Sequence, residues 1–510
     1  SSSSSSKAFS LNSMIKALKR SGRERNTEVL LAGQGQHWLV SEQFPEFSRK
    51  WQKWIQGTVP DGGQALEGEK KNEHMVDTES DEGTVMLTIL SQLPFVVPFS
   101  DRAKLFRKLI TQDKRALARS NARVTQFGTL VEVPVCEFVI RRANIVGDAF
   151  QAVQGIGKAF KQMVKVKFIG LNGEEERGID IGGPFKEFLE IVAKEIFRPD
   201  YGLFRTTATG HVYPSPDMHQ IPDFLSLIEF VGRVVGKALY EGVLVDVPFA
   251  SFFLCKLIGQ NAVFSDLEAL DAEIFKNLNF LRDYEGDVED LCLYFSVMES
   301  TFGQTKEVEL RPNGSNVPVT NANRVEYIYK MADYYLNKQL RVQAQAFLSG
   351  LADIVPLQYI RMFNVIELEV LISGASTDLD VSDWRKHTQY DNCTSFSRVV
   401  SLFWKALETF TAEEKQALLR FVTGNSRPPL MGFQDLFPPF TIREVANPKE
   451  KRSSGSGPLS FFKKGKTTND YLPSAATCFN MLKLPSYSSQ AILKTKLLQA
   501  ISSNSGFQLT

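Results

Sequence analysis

LPSAATCFNMLKLP, residues 472–485, is the stretch around which the chain is organised. Pro473 opens it and Pro485 closes it. Ser474, Ala475, Ala476 and Thr477 are small and lead straight into Cys478, so a bulky partner could approach the sulfur closely. Phe479, Met481, Leu482 and Leu484 then read as a short apolar strand that would hold the cysteine on a rigid edge. This is one way to present a nucleophile. It equally describes a buried loop, because free cysteine is among the most buried residue types, and spacing alone favours that plainer outcome.

Composition narrows the class. The chain has 510 residues, 43% hydrophobic and 23% charged, which fits a soluble globular protein of more than one domain. Lys and Arg number 59 against 58 Asp and Glu, so charge favours neither a nucleic-acid nor an anionic-membrane partner. Cys136, Cys255, Cys292, Cys393 and Cys478 are scattered, with no CxxC and no Cys/His cluster. That argues against a disulfide framework or a zinc site and fits a reducing compartment, cytoplasmic or nuclear; no cofactor is expected. The richest apolar run is broken by Arg233, Lys237, Glu241 and Asp246, which excludes a membrane span. Six serines and no Met at the start suggest a piece of a longer protein.

Upstream, residues 1–83 read as a Ser-rich basic lead-in, an aromatic segment and an acidic linker. Phe47, Trp51 and Trp54 recur there at helical spacing, as core residues do. Residues 84–137 read as a helical extension, with Ser100 and Asp101 in an N-cap region and a helix to about Arg119. FVIRRANIVGDAF opens the main domain near Phe138, and VKVKFIG alternates as a strand. Gly178, Gly182 and Gly183 turn into a helix carrying Phe185, Phe188, Leu189 and Val192; with no GxxxxGK[ST], this is packing and not a phosphate loop. YGLFRTTATGHVYPSP reads as a hairpin, and FLSLIEFVGRVVGKALYEG as a core helix whose Gly232 and Gly236 permit close approach of a neighbour. VEYIYKMADYYLNKQLRVQAQAFLSGLADIV reads as a long helix pair, and GASTDLD, from Gly374 to Asp380, as a hinge. Beyond it, DWRKHTQY and VVSLFWKALETF read as helices, Thr411 and Glu414 as a capping box, and residues 444–470 as a disordered basic insert.

LPSAATCFNMLKLPSYSS, followed by a Lys/Leu-rich helix and the ending SNSGFQLT, resembles the C-terminal lobe of HECT-type ubiquitin ligases, and the helical segment from Thr84 to about Arg119 resembles that of the branch without WW domains. GIDIGGPFKEF and NSRPPLMGF resemble further signatures of that family. The resemblance implies an α+β, bilobal fold: a large, mostly helical N-lobe over residues 138–375 and a small α/β C-lobe over 376–510, joined by a flexible hinge. It also implies a thioester ligase. Cys478 would take ubiquitin beside Thr477, and Phe507, four places from the end, would help pass it on. Ala476 stands where many members have His, so no general base is assigned there. A ubiquitin-conjugating enzyme would dock on Leu267, Phe275, Leu278, Tyr284 and Met331, where the residues alone favour a helical hairpin burying them internally, and a second, noncovalent ubiquitin on Tyr201, Leu203 and Phe204, which ordinary hairpin packing explains at least as well. Protein substrates, marked for proteasomal degradation, would complete the partners. Two alternatives stay open. A cysteine hydrolase would need a partner for Cys478 among His37, His74, His211, His219 and His387, and a non-catalytic scaffold would need none.

Overall fold

The computed structural model describes Trp54 and residues 81–92, 97–124, 130–132, 136–176, 183–218, 221–301, 304–374, 379–429, 432–436, 438–445 and 471–502. Of the sequence-based readings, the lead-in apart from Trp54, the Gly178–Gly182 turn, most of the hinge, the basic insert after Val445 and Phe507 lie outside them. Trp54 is buried.

From residue 81 the described residues run through helices α1 (Asp81–Gln92) and α2 (Phe99–Asn121). The second begins at Pro98, whose carbonyl accepts from the amides of Asp101 and Arg102. The helical reading of residues 84–137 needs correction beyond this point. A short antiparallel hairpin follows, β1 (Ala122–Val124) with β2 (Leu130–Glu132). Next come β3 (Cys136–Arg141), α3 (Ile145–Ile156), β4 (Val164–Ile169), α4 (Gly183–Ile196) and the hairpin β5 (Phe204–Thr206) and β6 (Val212–Pro214). Five helices and one hairpin then lead on: α5 (Phe224–Glu241), α6 (Ser251–Leu257), α7 (Leu267–Leu270), α8 (Ala272–Asp283), the pair β7 (Ser296–Thr301) and β8 (Gln304–Glu309), and α9 (Arg324–Asp333). A π-helical turn over Tyr334–Lys338 joins α9 to α10 (Arg341–Ile354), followed by α11 (Leu357–Ile360) and α12 (Val365–Ser373). The last part holds α13 (Val381–Lys386), β9 (Gln389–Asp391), α14 (Arg398–Glu408), α15 (Ala412–Thr423), β10 (Thr441–Val445), β11 (Ser474–Ala476), β12 (Met481–Pro485) and α16 (Gln490–Ser502). Helices predominate and the sheets are small, so the class is α+β. DWRKHTQY is not one helix: it ends at Lys386, and Gln389 and Tyr390 enter β9.

The residues form two compact units, 1–133 with 205–232 and 249–368, and 134–204 with 233–248 and 369–510. This partition groups residues 134–204 with the C-terminal part, unlike the sequence boundary at 375. In the first unit, Gly232 of α5 lies against α10: a Cβ there would come within 2.1 Å of the Phe347 carbonyl oxygen. Arg102 of α2 is buried and clamps the far end of the unit, donating to the Met362 carbonyl at 2.7 Å and to both Glu367 oxygens at 2.7 and 2.5 Å. In the second unit, β3 and β4 pair in parallel, and Phe138, Phe160 and Phe188 pack together beneath them. Its C-terminal portion is a four-stranded sheet in the order β11-β12-β10-β9, parallel except for β11. Ile442, Leu482 and Leu484 point from that sheet into a core with Trp384, Phe403, Trp404 and Phe440. Parallel neighbours buried this way need apolar residues on the covered face, which the IREV and MLKLP strings supply.

Candidate active site

The small residues before Cys478 form a strand. Ser474, Ala475 and Ala476 pair antiparallel with Lys483, Leu482 and Met481. Between β11 and β12 the chain makes a single helical turn, Thr477–Phe479, with the backbone of Cys478 at its centre. The turn ends at Asn480, whose φ of 49° lies in the left-handed region. Asn is one of the few side-chain-bearing residues that tolerate this conformation, and here it does more than permit the bend. Asn480 is fully buried. Its amide donates to the Thr477 carbonyl at 3.0 Å, its carbonyl accepts from the Thr441 amide at 2.9 Å, and Nδ2 donates to the Pro438 carbonyl at 2.5 Å. The turn bearing the cysteine is thereby fastened to the strand beside it.

A second fastening comes from far upstream. Lys186 and Glu190 lie one turn apart on α4, on the same face of the helix. Lys186 Nζ donates to the Thr477 carbonyl at 3.2 Å and to Asn480 Oδ1 at 2.5 Å, and lies 3.4 Å from Glu190 Oε1. Three acceptors meet the three ammonium protons. Burial pushes the Glu190 carboxyl up to about 7, with Lys186 opposing the rise and Glu187 adding to it. Glu187 itself is taken by Arg142, whose guanidinium bridges it and Glu176 while lying 3.9 Å over the Phe168 ring. Neither Lys186 nor Glu190 was singled out from sequence, although GGPFKEFLE contains both. Only their i, i+4 spacing amid Phe185, Phe188 and Leu189 hinted at a buried pair.

The end of α15 and the following loop support the same portion. Thr411 caps α15 through the expected box with Glu414. Asp246 accepts from Arg420 and, at 3.0 Å, from Ser426 Oγ. Gly374, with φ of 87°, packs so closely on the RPP string that a Cβ would meet Arg427 Cβ at 2.8 Å and the Pro428 carbonyl at 2.9 Å. Residues 375–378 of the expected hinge lie outside the described residues.

The remaining expected sites divide by exposure. Leu267 and Leu278 are 0% and 4% exposed and belong to the core of the first unit. Phe275 is half-buried against Phe264, with ring centroids 5.1 Å apart, and Tyr284 is half-buried against Phe280 at 5.5 Å. Met331 is half-buried on α9. The open apolar surface of these helices is instead Phe280 on α8, 62% exposed, with Val325 and Tyr329 on α9, 54% and 63% exposed. Of the trio assigned to noncovalent ubiquitin, Tyr201 is exposed, whereas Leu203 and Phe204 are buried, Phe204 against Phe197 at 4.7 Å. Of the histidines weighed as partners for Cys478, His211 and His387 are described; the His387 ring lies 2.9 Å from Asp383, and that of His211 is 2.9 Å from Thr209 Oγ1. Among the described residues no cluster could hold a metal ion, and no helix is long and apolar enough to cross a membrane.

Comparison with known proteins bears on the same turn. Ubiquitin-protein ligase E3B of Homo sapiens is 40% identical over 440 residues, covering 83% of this chain and 40% of that protein. E3 ubiquitin-protein ligase UPL6 of Arabidopsis thaliana is 36% identical over 448 residues, covering 87% and 41%, and E3 ubiquitin-protein ligase HUL5 of Saccharomyces cerevisiae is 38% identical over 434 residues, covering 83% and 45%. The chain thus spans about two fifths of the length of the curated relatives it matches. A family model described as HECT-domain (ubiquitin-transferase) matches residues 190–510, a span that runs from Glu190 through the Cys478 turn, and the chain belongs to that family.

Proposed function

We propose that this chain is the catalytic part of a ubiquitin-protein ligase that carries ubiquitin as a thioester on Cys478. The observation that carries the proposal is the placement of Cys478 on a turn fixed from both sides, within the span matched by the family model. In the first step the Cys478 thiolate attacks the thioester carbonyl joining ubiquitin to a conjugating enzyme. The new C–S bond forms as the old one breaks, and the conjugating enzyme leaves as its thiolate. In the second, a substrate lysine amine attacks the new thioester, an amide forms, the amine gives up a proton, and Cys478 leaves as thiolate. An ordinary thiol has a pKa of about 8.5, so a few per cent is ionised at neutral pH. The first exchange trades one thioester for another and is near balanced, so docking of the conjugating enzyme, which brings the two sulfurs together, can supply most of its acceleration.

The conjugating enzyme docks on the α8–α9 surface, with Phe280 and Tyr329 outermost, Phe275, Tyr284 and Met331 beside them, and Leu267 and Leu278 supporting the floor. A noncovalent ubiquitin meets Tyr201. Phe507 orients the second step. Substrates marked in this way pass to the proteasome, and the protein works in the cytoplasm or nucleus.

The test uses activated ubiquitin, a conjugating enzyme and this chain. A ubiquitin adduct that survives SDS but not thiol reductant is expected on the unaltered protein and absent from Cys478→Ala. The substitution removes only a sulfur atom, at a stability cost of about 1 kcal/mol, so the melting temperature should fall by no more than about 4 °C. Chain building by folded Cys478→Ala would refute the proposal. Release of free ubiquitin without an adduct would favour a hydrolase, and neither product a scaffold.

A further inference from the structure

The Lys186 clasp joins two stretches nearly three hundred residues apart and touches the peptide bond that leads into the proposed nucleophile. Lys186 donates to the carbonyl of the Thr477–Cys478 peptide and to the side chain of Asn480, which closes the same turn. Cys478 is thus bracketed on both sides by acceptors of one ammonium group. The ammonium group is also fully engaged there. Lys186 is largely buried, its three protons face three acceptors, and the neighbouring Glu187 is already held by Arg142. A surface lysine serving only solubility would satisfy none of these conditions.

Such a contact exists only while the turn is docked on α4. The two steps of the proposed reaction place different demands on Cys478: it must meet a conjugating enzyme, then an acceptor lysine. The α8–α9 surface proposed for the conjugating enzyme belongs to the first unit, whereas α4 and the turn belong to the second. We infer that Lys186 is a positioning residue for discharge: it holds the Thr477–Asn480 turn in the geometry from which Cys478 passes ubiquitin to an amine. The inference rests on the ligase reading above. No bond is made or broken at Lys186 itself. Its charge-assisted donors fix the backbone on which the thioester is carried.

The experiment measures loading and discharge separately on one preparation, with free lysine as acceptor and a melting curve alongside. Lys186→Met, which keeps the length and apolar stem of the side chain but removes all three donors, is expected to slow discharge about tenfold, the scale of losing charged hydrogen bonds. Loading should stay within about twofold of the unaltered protein. Lys186→Arg, which retains charge and donors, is expected to restore most of the discharge rate, a recovery that bulk stability alone would not give. Unchanged discharge in Lys186→Met would overturn the inference, as would slower loading with normal discharge. Equal slowing of both steps with a lowered melting temperature and no recovery in Lys186→Arg would show a structural role only. Failure of the unaltered protein to form any adduct would instead remove the ligase proposal on which the inference stands.

Discussion

Glu190 places an ionisable group with a pKa of about 7 in the interior of the second unit, one helical turn from Lys186. A carboxyl raised from 4.5 to about 7 by burial makes folding favour the protonated form. The sign follows from linkage. The folded state binds the extra proton between the two values, so its advantage is complete below about pH 4.5 and is lost as pH rises through about 7. The difference corresponds to about 3 kcal/mol by pH 8. Glu190→Gln mimics the protonated group at every pH. Its melting temperature should exceed that of the unaltered protein at pH 8.5 and converge with it below about pH 4.5. A gap that widens on acidification would mean that the ion pair with Lys186 outweighs burial, the reverse of the assignment. Asn480 shows the other kind of residue-scale constraint. Its left-handed backbone and its side chain are both used, so the Asn of TCFN serves the bend and the clasp together.

At the scale of elements, the close crossing of α5 and α10 gives a direct test of packing. A Cβ on Gly232 would meet a backbone carbonyl, which cannot rotate away as a flexible side chain would. Gly232→Ala should therefore force the helices apart, at about 2 kcal/mol or more, visible as a melting temperature lower by roughly 4–8 °C. A protein that melts normally would show that the crossing gives way without cost. This crossing was legible from the paired glycines in an apolar helix, as the capping box at Thr411 was legible from its spacing, because both depend on residues close in sequence. Strands of three residues left no such trace. QYD carries too few positions for alternation to register, and SAA pairs through its backbone, which any sequence supplies. The hairpin β1–β2 is equally short and follows a helical pattern that obscures it. Lys186 was hard to single out for a different reason: its partners at the turn are remote in sequence, and beyond its spacing from Glu190 nothing local distinguishes a lysine that reaches a buried carbonyl from one that reaches water.

For the whole molecule, the division into two units separates the surface proposed for the conjugating enzyme from the residue proposed to receive ubiquitin. That separation makes the two functions experimentally independent. Phe280 and Tyr329 are mostly exposed on α8 and α9, in a setting of charged groups that includes Arg282 and Asp283. Large aromatic residues with a polar rim are what a docking partner uses as anchors, and truncating a central anchor commonly costs about 2 kcal/mol of binding. Phe280→Ala and Tyr329→Ala should therefore slow loading of Cys478 about tenfold or more at limiting conjugating enzyme. The same variants, loaded at saturating enzyme, should discharge ubiquitin to lysine at the normal rate and melt normally, because exposed rings contribute little to the core. Leu278→Ala supplies the contrast: that side chain is buried, so its loss should lower the melting temperature and reduce both steps in proportion to folded protein. Normal loading by well-folded Phe280→Ala and Tyr329→Ala proteins would detach the α8–α9 surface from the conjugating enzyme. Slower discharge from the preloaded variants would show instead that this surface also takes part after Cys478 is charged, and the separation of steps between the units would not hold.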